Sequence, residues 1–507
     1  MIISLIILFA LFSGGSVLVT AFTDKKFGEI LPLTCVGIMG VLFLFGLCGA
    51  LRYGVCAVIL LCLLGYFAAF TRIIQKNEWQ IWIEKMCTPA LVLFVMSIIV
   101  FAFFDRNKLV SEWDEFSHWA DAVKTMVFLD DFVTNPAANS AFNTYPPAMT
   151  LFQYMVQRVA LWWSGADVGI FENLIFWSWK IFAFSWFFPF FERFSWKKLF
   201  PFLVVAGAVF LTPSIFYGNI YITAYIDAFL SMVCACGFAG ILLLQEKDWC
   251  YNALILSACV VLVLSKDSGV LLAVFLAIAY IVERVMSCND WGQRLGYFLS
   301  GVAAVALPKV LWNIEITTSG ASSYFSDSID VVSLVKLLVS GEDTYFWEVI
   351  RNYFTALCTQ GVQVTVAYID IPYHILLFVQ TTMIIAIFML LRKQDAHRRI
   401  NAVVVGVMLL MTVVYILGLC ATYLMNFSQR EALKLASFSR YLNTVFLAQW
   451  LVLLLMMSEY LCCIKRQWLM ALLGCVLMVA MLPLGLILNY VTGYDAAQSQ
   501  LLRGRLE

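Results

Sequence analysis

The sequence predicts an all-α polytopic membrane protein, and three observations carry that prediction. Hydrophobic residues make up 63% of the 507, while charged residues make up 13%, about half of what a soluble chain carries. Mean hydropathy is +0.90. Apolar runs of about 18 residues or more recur from one end to the other, the length a helix needs to cross a bilayer.

The same composition excludes other classes. The formal net charge is zero, so no global field invites a nucleic acid, and the partner implied is the lipid bilayer. The cysteines sit mostly inside apolar runs, as at Cys56, Cys62, Cys234, Cys236, Cys259 and Cys475. There they behave as small hydrophobes, with no disulfide framework implied. The opening stretch MIISLIILFALFSGGSVLVTAF lacks a basic leader and reads as a first span. No P-loop and no dinucleotide fingerprint is present. The histidines His118, His374 and His397 stand too far apart to suggest a metal site.

About fourteen spans are expected. Four lie in an N-terminal block, 1–104, near 2–22, 30–50, 53–71 and 89–104. A polar block at 105–165 follows. Six more spans fill 166–312, near 170–191, 199–217, 222–244, 253–265, 268–286 and 294–312. A second polar block covers 313–369. The last four, in 370–507, lie near 371–391, 399–420, 438–458 and 467–490.

Basic residues of short loops set the orientation. Lys25, Lys26, Arg72, Lys76, Lys85, Arg193, Lys197, Lys198, Lys247, Arg284, Arg294, Arg392, Lys393, Arg398, Arg399, Lys465 and Arg466 all fall on one side, provided 146–163 does not cross. That side is cytoplasmic, and both long polar blocks then face outside. The segment PPAMTLFQYMVQRVALWWSG has a Pro start, an interrupting Arg158 and paired Trp162 and Trp163. It is expected to lie against the outer face or to dip in partway.

The first polar block is where titratable groups crowd. Glu112, Asp114, Glu115, His118, Asp121 and Lys124 fall within just over three helical turns. Ser111-x-x-Asp114 is a capping-box pattern, which places a helix start at about Glu112. Phe116, Trp119, Ala120, Val123 and Val127 form an apolar stripe, and Asp114, His118, Asp121 and Thr125 share another face. Such a helix is expected in the membrane interface, rings down and carboxylates up. Acidic groups in a first turn also stabilise a helix with no further role. The density of titratable groups beside a bilayer favours a functional role, because partial desolvation raises a carboxylate toward a general base.

Charges inside apolar segments are costly and mark candidate sites. Asp227 sits in YITAYIDAFLSM, Lys266 and Asp267 in LVLSKDSGVLL, and Arg440 in SFSRYLNTVFLAQW; Lys180 and Lys309 are further cases. In the topology above, Asp227, Lys266, Asp267 and Arg440 all fall near the outer ends of their helices. Local pairing, such as Lys266 with Asp227, is the alternative for each one singly.

WDEFSHWADAVKTM followed by YPPAMTLFQYM resembles the first-loop pattern of the GT-C superfamily of membrane glycosyltransferases. YIDAFLSM at 225–232, SKDSG at 265–269 and SRYLNT at 439–444 look similar to pieces that line the cavity of such proteins. The chain departs from the pattern in two ways. Four spans precede the loop where many relatives have one, and SKDSG has Asp-Ser where Lys-acid-acid-Gly is commoner.

The resemblance implies a multi-pass cell-membrane enzyme with an active site on the extracytoplasmic face. It would move a sugar from a polyprenyl-phosphate-linked donor to a hydroxyl of a glycan, lipid or protein acceptor. The catalytic carboxylate would be Asp114 or Glu115, with Asp114 favoured because it shares a face with His118. Substrate-binding residues would include His118, Lys124, Tyr145, Asp227, Lys266, Asp267 and Arg440. Lys266 or Arg440 would neutralise the departing phosphate. Hard oxygen ligands on Asp114, Glu115 and the donor phosphate leave room for a divalent cation without requiring one. Two rivals stand beside this reading. One is a lipid-linked glycan polymerase or ligase working through 313–369, with Arg351 and Glu348. The other is a transporter or flippase, for which the break in 253–286 speaks and the lack of an internal repeat does not.

Overall fold

The structure is a computed structural model and describes residues 2–167, 169–322, 336, 344–364, 369–391, 398–463 and 467–506. Arg392, Lys393, His397, Lys465, Arg466 and, within the block 313–369, residues 323–335, 337–343 and 365–368 lie outside the described residues.

Among the described residues, ten helices are long and apolar enough to cross a membrane, or up to twelve if each of two bent pairs is one span. The first block holds α1 (Ile2–Phe22), α2 (Phe27–Leu47), α3 (Leu51–Lys76), α4 (Trp79–Met86) and α5 (Pro89–Asp105). α4 and α5 form one bent pair, with a break of 56°. Pro89 starts α5 and the Thr88 hydroxyl caps it, which is why the chain bends there. α1 and α3 pack closely at Gly14, where a Cβ would fall 2.3 Å from Cys62 Sγ.

The polar block contains a π-helical turn (Glu115–Trp119), α6 (Ala120–Leu129) and α7 (Ala148–Ser164). Then come α8 (Glu172–Ser185), α9 (Phe188–Phe191), α10 (Leu199–Leu211) and α11 (Pro213–Phe216). α12 (Ile226–Leu243) is buried along its whole length at the centre of the bundle, against α13 (Trp249–Val263) and α14 (Asp267–Ser287). Its small residues allow that burial: Gly237 meets Leu276 of α14 and Gly240 meets Ile255 of α13. α15 (Trp291–Ser319) follows.

The C-terminal part comprises α16 (Thr344–Thr359), β1 (Gly361–Val364), β2 (Ile369–Pro372), α17 (Tyr373–Leu391), α18 (Arg398–Met425), α19 (Gln429–Lys434) and α20 (Phe438–Cys463). It ends with α21 (Gln467–Met481), α22 (Leu484–Thr492) and α23 (Tyr494–Leu506). α21 and α22 are the second bent pair, turned through 83°. The two strands pair antiparallel, Gly361 opposite Pro372 and Val362 opposite Ile371, a small exception to the all-α expectation. Gly361 is obligatory there, because a Cβ would fall 1.8 Å from the Ile371 carbonyl oxygen.

The expected spans near 170–191 and 253–265 correspond to α8 and α13, which are 14 and 15 residues long. Both are shorter than the roughly 20 residues of a full crossing. In the first of them Pro189 lies in the separate short turn α9, so the apolar run does not continue as one helix.

Polar contacts between segments gather in two layers at opposite ends of the bundle. One layer ties Lys25 to Glu246 and Asp248, Arg193 to Glu459, and Tyr251 to Glu283. The other ties Arg52 to Asp130 and Asp167, Glu315 to Thr134, Trp312 to the Thr144 carbonyl, and Arg503 to Glu172. The first polar block belongs wholly to the second layer, called the loop end below.

Of the two placements expected for α7, lying against the outer face is corrected, because residues 148–161 are all buried, enclosed by α1, α2, α3, α6 and α8. Through its two Nη groups, Arg158 donates to Asp130 and to the Val127 and Asp167 carbonyls, so the charge that looked like an interface marker is an internal tie. Both ends of α7 sit at the loop end. Ala148 N–H donates to the Leu264 carbonyl beside Lys266, and Arg158 meets the Arg52–Asp130 cluster.

Candidate functional site

The site is best built from Glu115 outward. Glu115 is fully buried and accepts three backbone N–H groups: Ser111 and Glu112 on Oε2, at 3.0 and 3.1 Å, and Ala224 on Oε1, at 2.9 Å. It therefore caps its own helix start and fastens that start to the loop before α12. Burial pushes its carboxyl above the usual value, against the opposing pull of the three N–H donors. The predicted cap is corrected accordingly. The Ser111 hydroxyl accepts from Lys108 Nζ, and Glu115, not Asp114, supplies the reciprocal carboxylate.

The π-turn then changes which residues share a face. One residue too many per turn rotates the stripe, so Trp119, Ala120, Val123 and Val127 are buried while Phe116 is part exposed. The expected interfacial amphipathic helix is instead a packed element whose buried face carries Glu115 and His118 along with the rings.

Asp114, one residue earlier, points elsewhere. It forms an ion pair with Arg440 of α20, a contact between residues 326 apart in sequence. Arg440 Nε lies 3.5 Å from Asp227 Oδ2, and Lys266 Nζ donates to Asp227 Oδ1 at 2.7 Å. Asp227, only 2% exposed, thus serves as counter-ion to two cations, one from α20 and one from the break before α14. It sits in the first turn of α12, where the helix dipole also favours a negative charge. Removing one member of such a group would leave an uncompensated buried charge.

Two tyrosines complete the cluster. The Arg440 guanidinium lies 4.8 Å from the Tyr225 ring and 4.9 Å from the Tyr441 ring, and its Nη2 donates to Tyr441 Oη at 3.1 Å. Lys266 Nζ lies 4.8 Å from the same Tyr441 ring. Tyr217 Oη donates to the Arg440 carbonyl at 2.8 Å, which fixes the helix start that presents the guanidinium.

His118 faces an aromatic box beside the cluster. Its ring packs on Trp119, Phe142 and Tyr145 at centroid distances of 4.6, 4.6 and 5.3 Å. Its Nδ1 hydrogen-bonds Ser117 Oγ at 2.8 Å. Burial lowers its pKa to about 4, against the attraction of Asp114, so the ring is neutral at pH 7. Burial likewise raises the Tyr145 phenol to about 12.

The structure thus brings together Asp114, Asp227, Lys266 and Arg440, with His118 and Tyr145 alongside. Asp267 and Lys124 are placed apart from them. Asp267 is exposed and paired with Lys309 at 2.8 Å. Lys124 is exposed beside a separate cavity of about 130 Å³, which Glu115, Asp121, Glu172 and Arg503 also line. Of the rival site in the second polar block, Glu348 and Arg351 are both exposed on α16.

Sequence reasoning missed Tyr225 and Tyr441, although each stands within two residues of a charge it singled out. It also missed the C-terminal brace. Arg503 pairs with Glu172 and lies 5.4 Å from the Phe116 ring. Ser499 Oγ accepts from Leu109 N–H, and Gln500 donates to the Asn107 carbonyl. Tyr490 donates to Asp105, itself paired with the fully buried Lys180. The chain leading to Asp114 is therefore held from the C-terminal side.

A divalent ion shared by Asp114 and Glu115 does not fit this arrangement, because both Glu115 oxygens already accept backbone N–H groups. Among the described residues no three His, Cys, Asp or Glu side chains are placed to hold a metal. Chemically, the cluster offers two cations to an anion and one accessible carboxylate, Asp114, to a proton donor. Comparison with protein-family models, characterised proteins and solved structures gives no match.

Proposed function

We propose that this protein is a membrane glycosyltransferase of GT-C type, moving a sugar from a polyprenyl-phosphate-linked donor to an acceptor hydroxyl. The observation that carries the reading is the meeting of Asp114 from the first polar block with Asp227 of α12, Lys266 at the cap of α14 and Arg440 of α20 at one end of the bundle. Charged groups at a membrane boundary are costly to assemble, and their convergence on one point suits an anionic ligand that arrives with a lipid tail. We take α8 and α13 as short crossings, fourteen spans in all, and read the loop end as outside the cell because the basic short loops lie at the other end.

In this mechanism Asp114 accepts the proton of the acceptor hydroxyl. The acceptor oxygen forms a bond to the anomeric carbon, and the bond from that carbon to the phosphate oxygen breaks. The electron pair leaves with the polyprenyl phosphate, whose charge Arg440 and Lys266 neutralise. The rings of His118, Phe142 and Tyr145 pack on one another and form an aromatic wall beside the reacting groups. Glu115 positions Asp114 and takes no part in proton transfer.

The test is transfer of labelled sugar from a polyprenyl-phosphate donor in membranes carrying the wild-type chain, Asp114→Asn or Arg440→Gln. Transfer by the wild type and its loss in both variants, at equal insertion, supports the reading. Transfer that survives Asp114→Asn refutes this base.

A further inference from the structure

We infer that Arg440 is a latch on Asp114, opened when the phosphate of the lipid-linked donor binds, so that the base is free only in the donor-loaded protein. The inference rests on the transferase reading above and adds to it a rule for when the carboxylate can act.

Four observations lead there. Asp114 Oδ2 is engaged by the Arg440 guanidinium, so that oxygen is not available to an acceptor hydroxyl until the contact is given up. Arg440 does not need Asp114 to stay in place, because Tyr225 and Tyr441 flank the guanidinium and Asp227 supplies a buried counter-charge. Lys266 also has donors to spare, since the hydrogen bond its ammonium makes is to Asp227 Oδ1. Finally, the two carboxylates differ in freedom. The Asp227 side chain is 2% exposed and held by two cations, whereas that of Asp114 is 21% exposed and reaches in from the polar block.

A lipid-linked phosphate presents unesterified oxygens that match the guanidinium fork and the spare donors. It displaces the weaker-held carboxylate, Asp114, and leaves Asp227 in place. Donor and base thus compete for one guanidinium, and binding the first releases the second.

The competition predicts an unusual gain. Equilibrium binding of polyprenyl phosphate is measured on the full chain in lipid nanodiscs, for wild type, Asp114→Asn, Asp114→Ala and Arg440→Gln. Removing the competing charge tightens binding roughly fivefold, the scale of a partly exposed ion pair, although transfer is lost. Arg440→Gln weakens binding, and adding Asp114→Asn to it gives no gain. Uncharged polyprenol binds the wild type and Asp114→Asn alike. Equal or weaker binding of polyprenyl phosphate by both Asp114 variants overturns the latch and leaves the transferase reading standing. So does an equal gain with polyprenol. If the wild type does not bind polyprenyl phosphate, the transferase reading falls and the latch with it.

Discussion

Replacing Glu115 separates two adjacent carboxylates that have different work. Glu115 accepts three backbone N–H groups at 2.9–3.1 Å in a fully buried position. Glutamine has one acceptor oxygen. Turned toward Ser111 and Glu112, it faces Ala224 N–H with its own NH₂; turned the other way, it strands two donors. A stranded buried donor costs about 1–3 kcal/mol, so Glu115→Gln loses at least that and Glu115→Ala, which strands three, about 3 kcal/mol or more. Asp114→Asn touches no backbone group and breaks a pair whose side chains are both about a fifth exposed, an effect of about 1 kcal/mol or less. Thermal unfolding in detergent and hydrogen exchange at the Ser111, Glu112 and Ala224 amides read both. The expected result is a lower midpoint and faster exchange at those amides for Glu115→Gln, and near wild-type behaviour for Asp114→Asn. Wild-type stability and exchange in Glu115→Gln would refute the assignment of Glu115 as a structural anchor.

Three further outcomes follow from the same contacts. Asp227→Ala leaves Lys266 and Arg440 without their shared counter-ion and is expected to cost about 3–5 kcal/mol; the double variant with Lys266→Met should recover part of it, and an unchanged unfolding midpoint in the single variant counts against the cluster. His118 has a pKa near 4 in the folded chain against an ordinary 6.5. The unfolded chain therefore binds more protons between those values, so stability rises with pH from 4 to 6.5 and is flat above, by at most about 3 kcal/mol. His118→Phe should flatten that slope, and an unchanged slope would contradict it. Deleting residues 494–507 removes the Ser499, Gln500 and Arg503 contacts, so amide exchange at 107–116 should quicken while that of α12 stays slow; equal protection with and without the segment would show that the brace is idle.

Much of this architecture is legible because membranes impose simple rules. Long apolar runs report crossing helices directly, and charges embedded in them, such as Asp227, Lys266 and Arg440, stand out because burial there is expensive. The alternation of basic loops sorts segment ends, and the contacts among Lys25, Glu246, Arg193 and Glu459 place those ends in one layer. What stays hidden depends on geometry finer than a sequence period. The π-turn at Glu115–Trp119 shifts the helical register, and no composition signal announces it. The roles of Asp114 and Glu115 then depend on which direction that turn sends each side chain. α7 misleads for a different reason. Its Arg158 looks interfacial, but burial by α1, α2, α3 and α8 is a tertiary fact, settled by partners such as Asp130. The C-terminal brace is silent because polar contacts from Ser499 and Gln500 follow no pattern along the chain.

The most direct test of the central claim is an experimental structure of the full chain in lipid nanodiscs with polyprenyl phosphate bound. The account predicts phosphate density against Arg440 and Lys266, with Asp227 still in place and Asp114 turned away from the guanidinium. Phosphate density at the opposite end of the bundle, or a cluster that excludes the ligand while it binds elsewhere, would contradict it.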